Sequence, residues 1–316
     1  MSMSGMLLRS LALLLAGVTL LSLRSPSAAA DPAEEPEMEE GATAAPDREE
    51  PKARIARNLR YAKRDGVDPN LLSLDAYGPT EGQGFPVMVF IHGGGWRRGD
   101  KAGGDLTKAR HFVGAGWVYV TVNYRLSPAV RHPAHIEDIA AAIAYVHENV
   151  AKWGGDPARI HVMGHSAGAQ LAALVATDDR YLKAHGLGLD VLRGVVLLDG
   201  AGYDIFSLLQ EPRELQKRMY EAAFGKEPAG WKDASPIAHV AAGKSIPAFL
   251  ILPIAVREES IQQSEKLAEA LKAAGSRAEV KPAPGKTHGT LNSAFGSPGD
   301  EPTKQAMEFL ASLRSE

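Results

Sequence analysis

Short apolar runs alternate with amphipathic stretches from about residue 52 to the C-terminus. The apolar runs are continuous and rich in Val, Ile and Leu, which predicts strands buried on both faces. Their alternation with helical patterns predicts an α/β fold, with a mostly parallel sheet and helices on both of its faces. The predicted strands are VMVFIHGG, GWVYVTVNYR, RIHVMGHS, RGVVLLDGAG, IPAFLILPIAV and AEVKPA, and the main predicted helices are HIEDIAAAIAYVHENVAKWG, AGAQLAALVATDD, SIQQSEKLAEALKAAG and TKQAMEFLASL.

The N-terminal segment follows a different pattern. Arg9 precedes the apolar run SLALLLAGVTLLSL, and small residues follow up to residue 30. This pattern predicts a secretory signal peptide over residues 1–30, cleaved before Asp31, and hence export to a periplasm or beyond. Because the run is shorter than the roughly 20 residues that span a bilayer, we expect no stable membrane insertion after cleavage. Residues 31–51 are rich in Pro, Ala and Glu, which predicts a disordered acidic linker.

Composition narrows the class of protein. The chain has 316 residues, of which 45% are hydrophobic, so residues 52–316 can bury the core of one large domain. The net charge is −3 and no segment concentrates Lys and Arg, which argues against a nucleic-acid partner. The chain has no cysteine and therefore no disulfide. No His or carboxylate cluster has the spacing of metal ligands, and we expect neither a metal nor an organic cofactor.

A Gly-x-Ser-x-Gly pattern, GHSAG at residues 164–168, joins a predicted strand to a predicted helix. In parallel α/β sheets, ligands bind beyond the carboxyl ends of the strands. A tight turn at this point needs glycines around the serine and exposes the serine hydroxyl at the top of the sheet. The pattern alone could be a turn with a helix cap, but the strand before it and the helix after it favour Ser166 as a nucleophile.

A second glycine-rich loop, HGGGW at residues 92–96, follows an earlier strand. A serine nucleophile creates an oxyanion that must be met by fixed hydrogen-bond donors. Consecutive glycines leave backbone N–H groups unobstructed, and the residue after the nucleophile supplies another. We therefore predict an oxyanion hole formed by Gly94, Gly95 and Ala167. His92 is expected to hold the loop by hydrogen bonds rather than to take part in catalysis.

HGGGW and GHSAG together resemble the α/β-hydrolase fold, and within it the carboxylesterases related to hormone-sensitive lipase, kynurenine formamidase and the small feruloyl or acetyl esterases. Matching blocks follow in order, VNYRLSP, WGGDPARIHVMGHSAGAQLAALVATD and PGKTHGTLN, so that the resemblance covers roughly Arg60 to the C-terminus. It implies ester hydrolysis through an acyl-enzyme, with the triad in the chain order Ser, acid, His. His288 is the base that this implies, with His239 and His165 as distant alternatives.

The acid departs from the pattern of the family, in which an aspartate commonly follows the strand before the penultimate helix. Here the segment is LPIAVREES, with Pro253 and Val256 where the family often has histidine and aspartate. Glu259 is the expected acid, followed by Glu258, although both could simply stabilise a helix N-terminus. Asp199, at the end of RGVVLLDG, is a third option because a neighbouring strand could bring it to the same histidine.

An insertion at residues 203–240 predicts a small helical cap over the site. A short cap indicates a partly open cleft and short-chain ester substrates. Trp96 either lines this cleft or packs in the core. Two other hypotheses stay open: an aryl formamidase or peptidase with the same machinery, and a catalytically impaired binding protein with an altered acid position. The predicted apolar face of the cap consists of Phe206, Leu208, Leu209, Leu215, Met219, Phe224 and Trp231.

Overall fold

The computed structural model describes residues 52–103, 106–210 and 214–313. The predicted signal peptide (1–30) and acidic linker (31–51) lie outside the described residues and stay predictions. Within the described ranges, no helix combines the length and the apolar composition that a membrane span requires.

Eight strands of the described chain form one sheet. In chain order they are β1 (Ala53–Arg60), β2 (Ser73–Pro79), β3 (Phe85–Ile91), β4 (Val118–Val122), β5 (Gly155–His165), β6 (Leu192–Leu198), β7 (Ala248–Leu252) and β8 (Ala278–Val280). Across the sheet they follow the order β1-β2-β4-β3-β5-β6-β7-β8. β2 pairs antiparallel with β1 and with β4, and the other neighbouring pairs are parallel. The mostly parallel sheet predicted from the sequence is confirmed.

Helices cover both faces of this sheet. In the described residues they are α1 (Leu106–Gly114), α2 (Ala134–Asn149), α3 (Ala167–Thr177), α4 (Asp179–Lys183), α5 (Ile205–Leu208), α6 (Glu214–Phe224), α7 (Pro228–Asp233), α8 (Glu258–Ala273), α9 (His288–Ser293) and α10 (Glu301–Ser312). Helices α2, α3 and α8 share a core with Val87, Val89 and Ile91 of β3. Helices α1, α9 and α10 share the opposite core with Met88 and Phe90. β3 is apolar throughout because its side chains alternate between two cores.

Several strands end together at one edge of the sheet. The register pairs Ile91 of β3 with Gly164 of β5, His165 of β5 with Leu198 of β6, and Leu198 with Leu252 of β7. The segments that leave these strands therefore begin side by side. This edge is where ligands bind in parallel α/β sheets.

The insertion at residues 203–240 contains the short helices α5, α6 and α7. Phe224 and Trp231 are buried, as the sequence predicts for the apolar face of a cap. The sequence predicts Phe206 and Leu215 on the same face, but they are 41% and 68% exposed. That prediction is wrong because α5 is a single turn and Leu215 lies in the first turn of α6, where neither side chain reaches the core.

Candidate active site

Ser166 lies in the tight turn between β5 and α3. Its backbone has φ 56° and ψ −120°, a conformation that side chains with a Cβ rarely adopt. The turn is compact, because a Cβ on Gly164 would lie 2.1 Å from the carbonyl oxygen of Gly168. A Cβ on Gly168 would likewise lie 2.2 Å from the carbonyl oxygen of Ile91 in β3. Glycine is therefore required on both sides of the serine, because neighbouring backbone leaves no room for a Cβ.

The glycine loop after β3 lies beside this turn. A Cβ on Gly93 would come within 3.0 Å of the Ser166 Cβ. Gly94 has φ +104° and its Cβ would lie 2.2 Å from the carbonyl oxygen of Arg98, so that only glycine fits there. His92 holds the loop, as expected, since its Nδ1 is 2.8 Å from the Gly93 carbonyl oxygen.

The predicted oxyanion donors surround Ser166 on two sides. Ala167 is the first residue of α3, where backbone N–H groups have no partner inside the helix. Gly94 and Gly95 lie in the adjacent loop. Across the three described ranges, no backbone carbonyl accepts a hydrogen bond from the N–H groups of Gly94, Gly95 or Ala167. These amides are thus free to meet a ligand oxygen, and their role in an oxyanion hole stays a prediction.

His288 reaches the serine from the first position of α9. The Thr287 hydroxyl accepts a hydrogen bond from the Thr290 N–H at 3.1 Å, and the Thr290 hydroxyl accepts one from the Thr287 N–H at 2.8 Å. This reciprocal cap fixes the start of α9. The His288 Nε2 lies 3.0 Å from the Ser166 hydroxyl, and its Nδ1 lies 2.6 Å from a carboxylate oxygen of Asp199. The structure brings these three side chains together in the order of nucleophile, base and acid.

Asp199 follows β6 directly and is buried, with 1% exposure. Its φ of 40° is unusual for a residue with a Cβ. The backbone fixes it, because its N–H donates to the Leu252 carbonyl at 2.9 Å and the Ile254 N–H donates to its Oδ1 at 3.1 Å. Its Oδ2 accepts hydrogen bonds from His288 and, at 3.2 Å, from the Arg257 Nη1.

The favoured acid from the sequence, Glu259, does not contact His288. Its carboxylate accepts a hydrogen bond from the Gln216 Nε2 at 2.8 Å, which turns it toward the cap helix α6. Glu258 is exposed and accepts one from Gln262 in the next turn of α8. Both glutamates lie in the first turn of α8.

The sheet topology explains why Asp199, and not Glu259, contacts His288. The ends of β5 and β6 are neighbours, and the Ser166 N–H donates to the Leu198 carbonyl at 3.0 Å. The residue after Leu198 is Asp199, which therefore starts its side chain close to the serine. α8, in contrast, begins after a further turn beyond β7 and is fixed against the cap through Glu259. The third option, Asp199, is the carboxylate that the fold delivers to His288.

The two alternative histidines have other partners. His165 is buried, and its Nε2 donates a hydrogen bond to the His288 carbonyl at 3.0 Å. Burial, together with the neighbouring His288, lowers the pKa of the His165 imidazole to about 3, so that it stays neutral at ordinary pH. His239 bonds to the backbone oxygen of Asp233 at 2.7 Å, in the segment that follows the cap helices. Neither imidazole is within hydrogen-bonding distance of the serine hydroxyl.

Trp96 is a core residue. Only 2% of it is exposed, and its indole N–H donates to the Gln170 side chain of α3 at 3.1 Å. Its ring meets Tyr220 and Phe224 of α6 edge to face, with centroids 5.2 and 4.8 Å apart. Trp96 therefore anchors the cap helix to the glycine loop. Of its two predicted positions, packing in the core is confirmed and lining of the cleft is not.

Two residues border the site in ways that the sequence did not reveal. Arg257 contacts Asp199, and the only signal for it was a positive charge inside the altered acid segment. Met219 of α6 lies over the glycine loop, since its Sδ is 3.0 Å from the place where a Gly95 Cβ would stand. Within the described part of the chain, no group of three or more His, Asp or Glu side chains is placed to hold a metal ion.

Comparisons with known proteins show the family of the chain. The family model BD-FAE matches residues 74–271. The chain belongs to the BD-FAE family. Among curated relatives of this BD-FAE chain, Esterase LipC of Mycobacterium tuberculosis is 33% identical over a match that covers 66% of this chain and 54% of LipC. The chain thus spans about half the length of the curated relatives it matches.

Solved structures share the α/β-hydrolase fold with this BD-FAE chain. A truncated carbohydrate esterase from gut microbiota superposes with a TM-score of 0.69 at 23% identity, covering 83% of this chain and 97% of the other. Esterase 2 of Thermogutta terrifontis, phosphonylated by sarin, gives a TM-score of 0.67 at 27% identity, covering 84% and 96%. The same esterase has been solved with butyrate and with propionate bound.

The surroundings of Asp199 predict how stability depends on pH. Burial acts to raise the pKa of this carboxyl, but the hydrogen bond with His288 and the charge of Arg257 outweigh it and lower the pKa to about 2. The unfolded-state pKa is about 3.9. The ionised carboxylate therefore contributes about 3 kcal/mol, which is fully present above about pH 4 and is lost as the pH falls through 2.

Urea unfolding between about pH 6 and pH 2.5 checks this expectation. Asp199→Asn should show a smaller loss of unfolding free energy on acidification than the wild-type chain. Asp190→Asn, at an exposed position near the start of β6, is the matched control and should follow the wild type. Parallel curves for Asp199→Asn and the wild type would contradict the assignment.

Proposed function

We propose that the chain is a serine carboxylesterase that hydrolyses short-chain esters through an acyl-enzyme. The observation that carries this proposal is the hydrogen-bonded series from the Ser166 hydroxyl through His288 to Asp199, with distances of 3.0 and 2.6 Å. Free backbone amides beside the serine add the donors that a developing oxyanion needs. The esterases among the relatives and the structural neighbours support the same chemistry.

In the proposed reaction each group has one role. The His288 Nε2 accepts the proton of Ser166 as the serine oxygen attacks the ester carbonyl. The carbonyl oxygen, now negative, accepts hydrogen bonds from Gly94, Gly95 and Ala167. His288 then gives the proton to the departing alcohol, which leaves an acyl-enzyme. In the second half, His288 takes a proton from water as the water attacks the acyl carbonyl, and returns it to the Ser166 oxygen as the acid leaves. Asp199 accepts the Nδ1–H and stabilises the imidazolium, so that the ring keeps its orientation.

The two other hypotheses lose their support. The binding-protein hypothesis rested on an acid position without a carboxylate, and Asp199 supplies that carboxylate from β6. An aryl formamidase or peptidase would use the same triad, but the relatives and neighbours that match this chain carry esterase names. Export of the enzyme is part of the proposal and rests on the pattern of residues 1–30 alone.

The cap supports a short acyl chain. The edge-to-face contacts of Tyr220 and Phe224 with Trp96 fix helix α6 above the glycine loop. This position puts the Met219 side chain against Gly95, one of the predicted oxyanion donors. An ester carbonyl bound at that donor would bring its acyl group next to the thioether. The butyrate and propionate complexes of the Thermogutta esterase agree with a short-chain substrate.

The first prediction concerns the acid. Turnover of p-nitrophenyl acetate should disappear with Ser166→Ala, and kcat should fall by roughly 10³- to 10⁴-fold with Asp199→Asn, because the imidazole loses its orientation and its counter-charge. Glu259→Gln should stay within about threefold of the wild type, since Glu259 does not touch the triad.

Steady-state kinetics on purified chains from Asp31 onward measure these effects, and circular dichroism controls for folding. A large loss with Glu259→Gln and a small loss with Asp199→Asn would sink the assignment. Wild-type turnover no higher than that of Ser166→Ala would refute the esterase function itself.

The second prediction concerns acyl length. Met219→Ala should raise kcat/KM for p-nitrophenyl octanoate relative to the acetate by about tenfold, because removal of the side chain opens space beside the glycine loop. Leu215→Ala is the matched control on the same helix, and it should leave the ratio unchanged because Leu215 is exposed. An unchanged ratio in Met219→Ala would show that the acyl chain takes another route.

A further inference from the structure

A positively charged side chain, that of Arg257, contacts the carboxylate that orients His288. Arg257 lies just before α8, and its Nη1 is 3.2 Å from the Asp199 Oδ2 and 3.4 Å from the Asp199 backbone oxygen. The His288 Nδ1 donates to the same Oδ2 at 2.6 Å. The remaining oxygen, Oδ1, accepts the Ile254 N–H. Both oxygens of the carboxylate are therefore occupied, and one of them is shared by an arginine and the imidazole.

This sharing has an electrostatic consequence. Arginine is charged at all relevant pH values. Its guanidinium and the His288 ring are each within hydrogen-bonding distance of one oxygen, so the two groups are close neighbours. A fixed positive charge at this range disfavours the protonated imidazole. The Arg257 side chain is 35% exposed, which screens the effect without removing it.

Arg257 also has a negatively charged neighbour, Glu259 of α8. Its Nη2 lies 3.9 Å from the Glu259 Oε1, and that oxygen also accepts the hydrogen bond from Gln216 of α6. Glu259 thus places a negative charge near the second guanidinium nitrogen, where it partly offsets the charge of Arg257. In the described ranges, four other charged or titratable groups act on Asp199 or its neighbours. They are His165 of β5, Lys108 of α1, Tyr203 at the start of the cap insertion and Tyr220 of α6.

We propose that Arg257 is a positioning residue of the triad, which fixes the Asp199 carboxylate and opposes protonation of His288. The effect keeps the imidazole free to accept the serine proton at lower pH than Asp199 alone would allow. Glu259 takes part indirectly, because its negative charge partly offsets that of Arg257. The consequence for turnover rests on the proposed esterase function, but the electrostatic coupling exists whether or not the chain cleaves esters.

The test titrates the His288 ring directly by NMR on histidine-labelled protein, with His288→Gln to assign the resonance. Arg257→Gln removes the charge and should move the titration midpoint to higher pH by about half a unit to one unit. Arg257→Lys keeps the charge and should stay close to the wild type. Arg193→Gln, at an exposed position near the opposite end of β6, removes an equal charge far from the site and should cause no shift.

The same variants are assayed for p-nitrophenyl acetate turnover across the pH range. The acidic limb of kcat/KM should move with the NMR midpoint in Arg257→Gln, and kcat should fall about tenfold at high pH with little change in KM. A midpoint that stays in place or moves to lower pH in a folded Arg257→Gln overturns the inference. Midpoint shifts without any wild-type turnover refute the esterase function and leave the role of Arg257 intact.

Glu259→Gln gives an independent measurement if Arg257→Gln fails to fold. Loss of this negative charge leaves the Arg257 charge less compensated, so the His288 midpoint should move to lower pH, opposite to the shift in Arg257→Gln and smaller. A shift to higher pH in Glu259→Gln, or none, overturns the inference.

Discussion

The hydrogen bond of 2.6 Å between Asp199 and His288 is the interaction on which the arrangement of the site depends. A carboxylate that accepts the Nδ1–H leaves the Nε2 lone pair directed at the serine hydroxyl. The bond forms because β5 and β6 are parallel neighbours that end together, which places the residue after β6 next to the turn that carries Ser166. The sheet topology therefore brings a carboxylate to His288, although the segment after β7 has no aspartate.

Strained backbone marks the same region. Trp96, Ser166 and Asp199 all have positive φ, at 59°, 56° and 40°. Such conformations persist only where the surroundings hold them. The Ser166 N–H donates to the Leu198 carbonyl, and the Asp199 N–H donates to the Leu252 carbonyl. Hydrogen bonds between segments that leave adjacent strands thus fix the side chains that have to meet.

The sequence predicts the features of the fold and the site that depend on residues close together in the chain. Continuous apolar runs predicted the sheet, and glycines at residues 164 and 168 predicted the tight turn around Ser166, where the backbone leaves no room for a Cβ. The identity of the acid depends on contacts between distant segments, and the pattern favoured Glu259 over Asp199. Glu259 is occupied by Gln216, 43 residues away in the chain, and no local spacing contains that contact. The burial of Trp96 also depends on a contact between distant segments, because Gln170, 74 residues away in the chain, accepts its N–H.

Whether Asp199 acts through His288 is tested most directly by a double-mutant cycle on kcat/KM for p-nitrophenyl acetate. If the two residues form one unit, Asp199→Asn has little further effect in the His288→Ala background, although it is severe in the wild-type background. Independent losses that multiply in the double variant would contradict the account, because Asp199 would then act without His288.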